Sequence, residues 1–249
     1  MKLTGKAALI TGGTKGIGAS TAVALARAGS HIAINGRVMD KAAAEVISRV
    51  EAEGRRCVMV AADLTTREES VRCVHQAAEA LGGLNVLIHC AGAPVPGSVL
   101  EISPEAWYKA FDLHLHAAFH LCRCAIPIMK KRDEGAIVFV SSAAGSRGCA
   151  GTIAYGVVKG ALPQFARALA RELADDNIRV NCVSPGVIRT RFQDMLTAEQ
   201  VKNNLENRIP LHREGAPEDV AEAIVMLVRN DFITGETIAI DGGMTMRMV

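Results

Sequence analysis

Short runs of β-branched and other apolar residues alternate with longer stretches of helical periodicity from one end of the chain to the other. The runs at 7–10, 31–35, 57–61, 86–89, 136–140, 178–183 and 237–240 predict seven strands. Between them, segments such as 19–28, 40–53, 104–129 and 155–173 repeat apolar residues three and four apart and predict helices. This alternation predicts an α/β fold, a parallel sheet with helices on both faces, in which ligands bind beyond the carboxyl ends of the strands.

Composition narrows the picture. The chain has 249 residues, 49% of them apolar, and no Pro/Ser/Gly-rich linker divides it, so one domain over 1–249 is expected. The formal charge of +2 comes from scattered residues, which predicts no nucleic-acid partner. No apolar run reaches membrane-spanning length, and residues 1–10 lack the pattern of a signal peptide, so a cytoplasmic protein is expected. The seven cysteines contain no Cys-x-x-Cys pair and read as buried, reduced thiols.

The chemistry centres on Tyr155 and Lys159. Four residues apart on a helix, they share one face, and Leu162, Phe165, Ala166, Leu169 and Leu173 continue that face as an apolar stripe. Lys159 therefore occupies a core position with no acid three or four residues away. For a phenol that titrates near ~10 to work near neutrality, its pKa must fall by roughly three, about 4 kcal/mol. An ammonium at about 4 Å in an effective dielectric near 20 supplies about that much, and burial of the phenol opposes it.

The strand ends add further candidates. The first leads into Thr11-Gly12-Gly13-Thr14-Lys15-Gly16-Ile17-Gly18, a glycine-rich turn at a helix amino end and suited to a pyrophosphate, although its spacing is not Gly-x-Gly-x-x-Gly. The second ends in Asn35-Gly36-Arg37 with no acid before Asp40, and Lys15 lies on the same side; both cations point to the 2′-phosphate of NADP. Asp63-Leu64 follows the third strand, where Asp63 either accepts from an adenine amino group or caps the next helix. Cys90-Ala91-Gly92 follows the fourth, and Ser141 and Ser142 follow the fifth. After the sixth, Pro185-Gly186-Val187-Ile188-Arg189-Thr190 opens a polar excursion to about 215, read as a substrate lid over 188–215.

Taken together, these motifs resemble the short-chain dehydrogenase/reductase family almost end to end. The resemblance rests on Thr-Gly-x-x-x-Gly-x-Gly at 11–18, Asp63, Ala91-Gly92, Ser142, Tyr155/Lys159, Pro185-Gly186 and Asp241-Gly242-Gly243. It implies a Rossmann-type doubly wound seven-stranded sheet and reversible hydride transfer between NADP(H) and a carbonyl or secondary alcohol. In such an enzyme Tyr155 is the general acid or base and Ser142 holds the substrate oxygen. Lys159 lowers the Tyr155 pKa and holds the nicotinamide ribose, the Cys90 backbone lies near that ribose, and Thr190 lies near the carboxamide. No metal is needed, and a homotetramer with the segment 244–249 at an interface is expected.

Four features depart from the family pattern or invite another reading. His114 stands where the family usually has Asn, and would either join a proton relay, titrating near neutrality, or simply pack. His89 also replaces a frequent Asn and is read as a hydrogen-bonding residue. His116 and His120 have metal-like spacing without a third ligand and are read as structural. Pro163 removes the N–H that would bond the Lys159 carbonyl and predicts a kink. Two rival functions remain: a reductase of β-ketoacyl thioesters on a carrier protein, for which Arg189 and Arg191 supply a sparse basic patch, and a non-catalytic NADP-binding regulator. The pocket is expected to be lined from 93–100, 145–152 and 188–213.

Overall fold

In a computed structural model, which describes residues 1–190 and 196–246, all seven expected strands are present: β1 (Ala7–Thr11), β2 (His31–Gly36), β3 (Cys57–Ala61), β4 (Val86–His89), β5 (Gly135–Val140), β6 (Ile178–Pro185) and β7 (Thr237–Ile240). They form one sheet in the order β3-β2-β1-β4-β5-β6-β7, with every pairing parallel. Every residue of β1, β4, β5 and β6 is buried, because helices cover both faces and each side chain meets apolar neighbours whichever way it points. Helices α1 (Gly16–Arg27), α2 (Lys41–Ala52) and α8 (Pro217–Arg229) pack on one face. On the other lie α3 (Arg67–Leu81), α5 (Ala117–Lys130) and α6 (Ile153–Glu172), with Phe139 of β5 stacked on Phe165 of α6 at 5.3 Å.

Local chemistry fixes the helix starts. Asp40 accepts from the Ala43 N–H at α2, Thr66 accepts from Glu69 at α3, and Ser103 accepts from Ala106 at α4 (Pro104–Phe111). Thr66 thus takes the capping place that one reading gave to Asp63. The Asp63 carboxylate instead accepts from the Thr65 N–H and hydroxyl, closing the turn before the helix.

The helix expected over 104–129 is interrupted. Residues Asp112–His116 form a π-helical turn between α4 and α5, which admits one extra residue and rotates His114 to a fully buried position. Helical periodicity alone does not register that insertion. The excursion after β6 is tied at its base by a bridge between Ile188 and Gly215. Within it lie α7 (Ala198–Asn203), opened by a Thr197/Gln200 capping box, and a π-helical turn at Asn204–Arg208. Arg191 and the rest of 191–195, together with 247–249 of the C-terminal segment, lie outside the described residues. Among the described residues no helix is long and apolar enough to cross a membrane.

Candidate active site

The carboxyl ends of β4, β5 and β6 converge with the starts of α1 and α6 on a cleft of about 200 Å³. Ile17, Cys90, Gly92, His114, Ser142, Tyr155, Lys159, Pro185, Gly186, Ile188 and Thr190 all line it, so residues scattered over much of the chain meet in one place.

Helix α6 presents Tyr155 and Lys159 on one face, and Lys159 is only 5% exposed. Its ammonium donates to the Val140 carbonyl at 2.8 Å and lies 5.6 Å from the centre of the Tyr155 ring. Burial pulls its pKa down to about 8, while the neighbouring Cys182 and Cys90 thiols act to raise it. Tyr155 behaves differently from the simple Coulomb argument. Burial pushes the phenol above its ordinary value, and a hydrogen bond with Ser142 offsets part of that rise. Desolvation outweighs the Ser142 hydrogen bond, and the Lys159 ammonium is directed at a backbone carbonyl.

Pro163 does not end α6, and the carbonyl it would leave without a donor is satisfied from outside the helix. The Ser141 hydroxyl donates to the Lys159 carbonyl at 2.6 Å. The two adjacent serines thus divide the work: Ser141 anchors the helix at Lys159, and Ser142 faces Tyr155. Of the two serines expected after the fifth strand, Ser141 faces the helix backbone, and the Val140 carbonyl is a partner that the sequence does not signal. A proline four residues after a motif lysine was the signal that some other donor had to be close.

His114 does not titrate near neutrality. Burial, with Lys159 and His89 nearby, lowers its pKa to about 2, so the ring is neutral. Its Nε2 lies 3.0 Å from the Ala93 carbonyl and 3.3 Å from the Ala93 nitrogen, so it donates to the first or accepts from the second according to the tautomer, and Nδ1 takes the opposite role. That buried Nδ1 has no hydrogen-bond partner. The ring stands edge-on to Tyr155 at 5.7 Å, and a side chain at Gly92 would come within 2.6 Å of it, so only glycine fits there. His114→Asn is accordingly expected to leave the pH–rate profile between pH 6 and 7 in place; a limb that disappears there would show that the ring does titrate. His89 fills a structural place, with Nδ1 3.0 Å from the Thr11 hydroxyl and Nε2 3.2 Å from the His114 carbonyl. His116 pairs with Asp112 at 3.0 Å, and His120 packs edge-on against Phe119.

The glycine-rich turn has the form of a cradle. Lys15, the residue before α1, makes no side-chain cap, so the first N–H groups of the helix at Gly16, Ile17 and Gly18 are left for a ligand. A Cβ at Gly18 would overlap the Gly12 carbonyl oxygen, and Gly12 in turn lies against the Ala91 backbone. Gly16 faces Thr190, Thr14 packs beside Gly36, and the Ala91 N–H donates to the Thr11 hydroxyl. These features fit a dinucleotide: uncapped donors for phosphates, close backbone approach, and a cleft that continues to Tyr155.

At the adenine end, Lys15 reaches the start of α2 and pairs with Asp40 at 2.8 Å. Arg37 follows β2 directly and its charge acts on Asp63. Leu64 is buried, and its carbonyl accepts from Ser70. Gly186 lies against Asp241, whose carboxylate holds the Thr245 and Gly243 N–H groups.

A second compartment of about 420 Å³ adjoins the cleft and shares Ser142 and Gly186 with it. Its walls come from two of the expected stretches, at Arg147, Gly148 and Cys149 and at Asn207 and Arg208, and also from Met244 and Thr245, which were not expected there. From the stretch 93–100, Ser98 and Val99 line an adjoining groove that shares Ala144, Arg147, Gly148 and Cys149 with this compartment.

Known proteins place this arrangement. A family model described as Enoyl-(Acyl carrier protein) reductase matches residues 12–245. Dehydrogenase/reductase SDR family member 4 of Homo sapiens is 34% identical over 250 residues, covering 99% of this chain and 90% of that protein. A 3-oxoacyl-[acyl-carrier-protein] reductase of Synechocystis is 33% identical, with 98% of each chain covered. The crystal structure of L-sorbose reductase from Gluconobacter frateurii, complexed with NADPH and L-sorbose, superposes with a TM-score of 0.91 at 30% identity over 100% of both chains. The fold, the cleft and these likenesses agree: the chain belongs to the short-chain dehydrogenase/reductase family of oxidoreductases.

Proposed function

We propose that the chain is an NADP(H)-dependent oxidoreductase that interconverts a carbonyl and a secondary alcohol, with Tyr155 as general acid in reduction and base in oxidation. The observation that carries this reading is the placing of Tyr155, hydrogen-bonded to Ser142, one helical turn above buried Lys159 in the cleft that the glycine-rich turn opens. The bound nicotinamide supplies or accepts the hydride at the carbonyl carbon. Ser142 and Tyr155 hold the carbonyl oxygen, and the Tyr155 proton passes to it as the C–O π pair becomes a lone pair. Lys159 keeps positive charge beside the site below about pH 8 and would hold the nicotinamide ribose. The buried Nδ1 of His114 would share a hydrogen bond with a water at the inner end of the cleft. Residues 188–215 would cover the bound substrate.

Arg37 and Lys15 support NADP(H) over NAD(H), since a 2′-phosphate can compete with Asp40 for the Lys15 ammonium. NADPH is expected to exceed NADH in kcat/KM by roughly 10- to 100-fold, the worth of a charge-assisted contact. Arg37→Asp is expected to reverse much of that ratio. Equal efficiency with both nucleotides in the unmutated protein would overturn the NADP assignment.

The likeness to the Synechocystis protein keeps 3-oxoacyl-[acyl-carrier-protein] reduction as a second reading. Against it, Arg189 is paired with Glu214 at 3.2 Å, which reduces the basic surface available to a carrier protein. A regulator without catalysis would not need Ser142, Tyr155 and Lys159 together. Ketones, sugars and acyl thioesters followed by NADPH absorbance separate these readings.

A further inference from the structure

The compartment beside Ser142 has a one-sided charge. Among the described residues that line it are two arginines, Arg147 and Arg208, and no acid. Each arginine is oriented by an uncharged partner: Arg147 Nε and Nη2 donate to the Thr245 carbonyl at 3.1 and 2.6 Å, and Arg208 Nη1 donates to the Asn204 amide oxygen at 2.8 Å. These bonds hold the side chains in place without neutralising them.

None of the described acids lines the compartment, although Asp241 keeps its negative charge behind Gly186 and Thr245. Asp241 accepts from the Gly243 N–H and from the Thr245 N–H and hydroxyl, at 2.9, 2.8 and 2.5 Å. Glu214 pairs with Arg189, and Glu206 faces Lys202. No residue of the glycine-rich turn lines this compartment, so the dinucleotide phosphates belong to a different part of the site.

From this we infer that the substrate is a small anionic carbonyl compound, with a carboxylate or phosphate held by Arg147 and Arg208 while its carbonyl oxygen lies at Ser142. The inference rests on the carbonyl-reductase reading above and adds the substrate class to it. The anionic group is a spectator: the carbonyl carbon gains the hydride from NADPH, its oxygen gains the Tyr155 proton, and NADP⁺ and a hydroxy acid or hydroxy phosphate leave. An arginine fork matches either anion bidentately and anchors it at a fixed distance from the reacting carbon.

The test is a set of matched pairs with NADPH and the full chain: oxo carboxylic acids against their methyl esters, and ketose phosphates against the free ketoses. The anionic member of at least one series is expected to have the higher kcat/KM by roughly 10- to 100-fold, mostly through KM. The KM of that member should rise with ionic strength while that of its neutral partner stays level. In the double variant Arg147→Gln/Arg208→Gln the ratio should fall toward one, with NADPH fluorescence titration reporting that the variant still folds. The series that shows the preference identifies carboxylate or phosphate. Neutral substrates preferred throughout, or a preference that survives in the folded double variant, would overturn the anionic class and leave the reductase reading intact. NADPH binding without reduction of any member would remove the reductase reading and this inference with it.

Discussion

Tyr155→Phe is expected to lower turnover by roughly a hundred- to ten-thousand-fold, the usual worth of a positioned general acid, while the dissociation constant for NADPH changes little. The substitution removes one hydroxyl from a site whose walls otherwise stay the same. Because burial raises the phenol, Tyr155 is protonated at neutral pH and ready to donate, whereas alcohol oxidation needs it deprotonated. Reduction by the unmutated protein should therefore prevail at neutral pH, and oxidation should gain as the pH rises. Initial rates in both directions across the pH range, beside stopped-flow or fluorescence measurement of NADPH binding, check both statements. Substantial reductase activity in Tyr155→Phe would mean that another group supplies the proton.

Lys159→Met carries the second large effect, and it separates activity from stability. Turnover should fall by roughly a hundredfold or more, as expected when a preorganised charge is removed from a desolvated site. Stability should change in a pH-dependent way. The lysine pKa is about 8 in the folded protein against an ordinary 10.5, so folding at neutral pH retains a cation where burial disfavours it. That destabilising contribution is fully present below pH 8 and is relieved as the pH rises toward 10.5, because in this window the unfolded chain binds more protons. The difference amounts to about 3 kcal/mol. Loss of the hydrogen bond to the Val140 carbonyl costs the variant about 1–3 kcal/mol at every pH. Subtracting the two denaturation curves, Lys159→Met from unmutated protein, cancels the other titrating groups and should leave a slope confined to pH 8–10.5. A difference flat across that range would show that the buried ammonium keeps its ordinary pKa.

The Arg208 and Lys159 side chains express the same physics with opposite outcomes. Arg208 is exposed and keeps its charge beside an uncharged amide, so it can attract an anion from solution. Lys159 is enclosed, donates to a backbone carbonyl, and has its pKa pulled down by burial. Burial decides which cation stays open to an anion and which is held at a backbone carbonyl.

What the sequence determined is whatever depends on local repetition and on residue type. Short β-branched apolar runs alternating with longer helical stretches fit strands covered on both faces, so the seven strands and their parallel arrangement followed from the pattern, with ends displaced by two residues at most. The same holds for Tyr155 and Lys159 on one helical face, since 3.6 residues per turn fixes that without any tertiary contact. The tertiary structure decided what depends on distant neighbours. Burial sets the direction of the Tyr155 pKa, and the π-helical turn at Asp112–His116 makes His114 a buried neutral ring instead of a near-neutral titrating group. Ser141 rescues the carbonyl that Pro163 leaves, across 18 residues of sequence. Arg147 is oriented by Thr245 from 98 residues away, and with Arg208 it gives the compartment its charge. Desolvation and hydrogen-bond satisfaction are properties of a folded environment, and a linear pattern records only which side chains are available to create it.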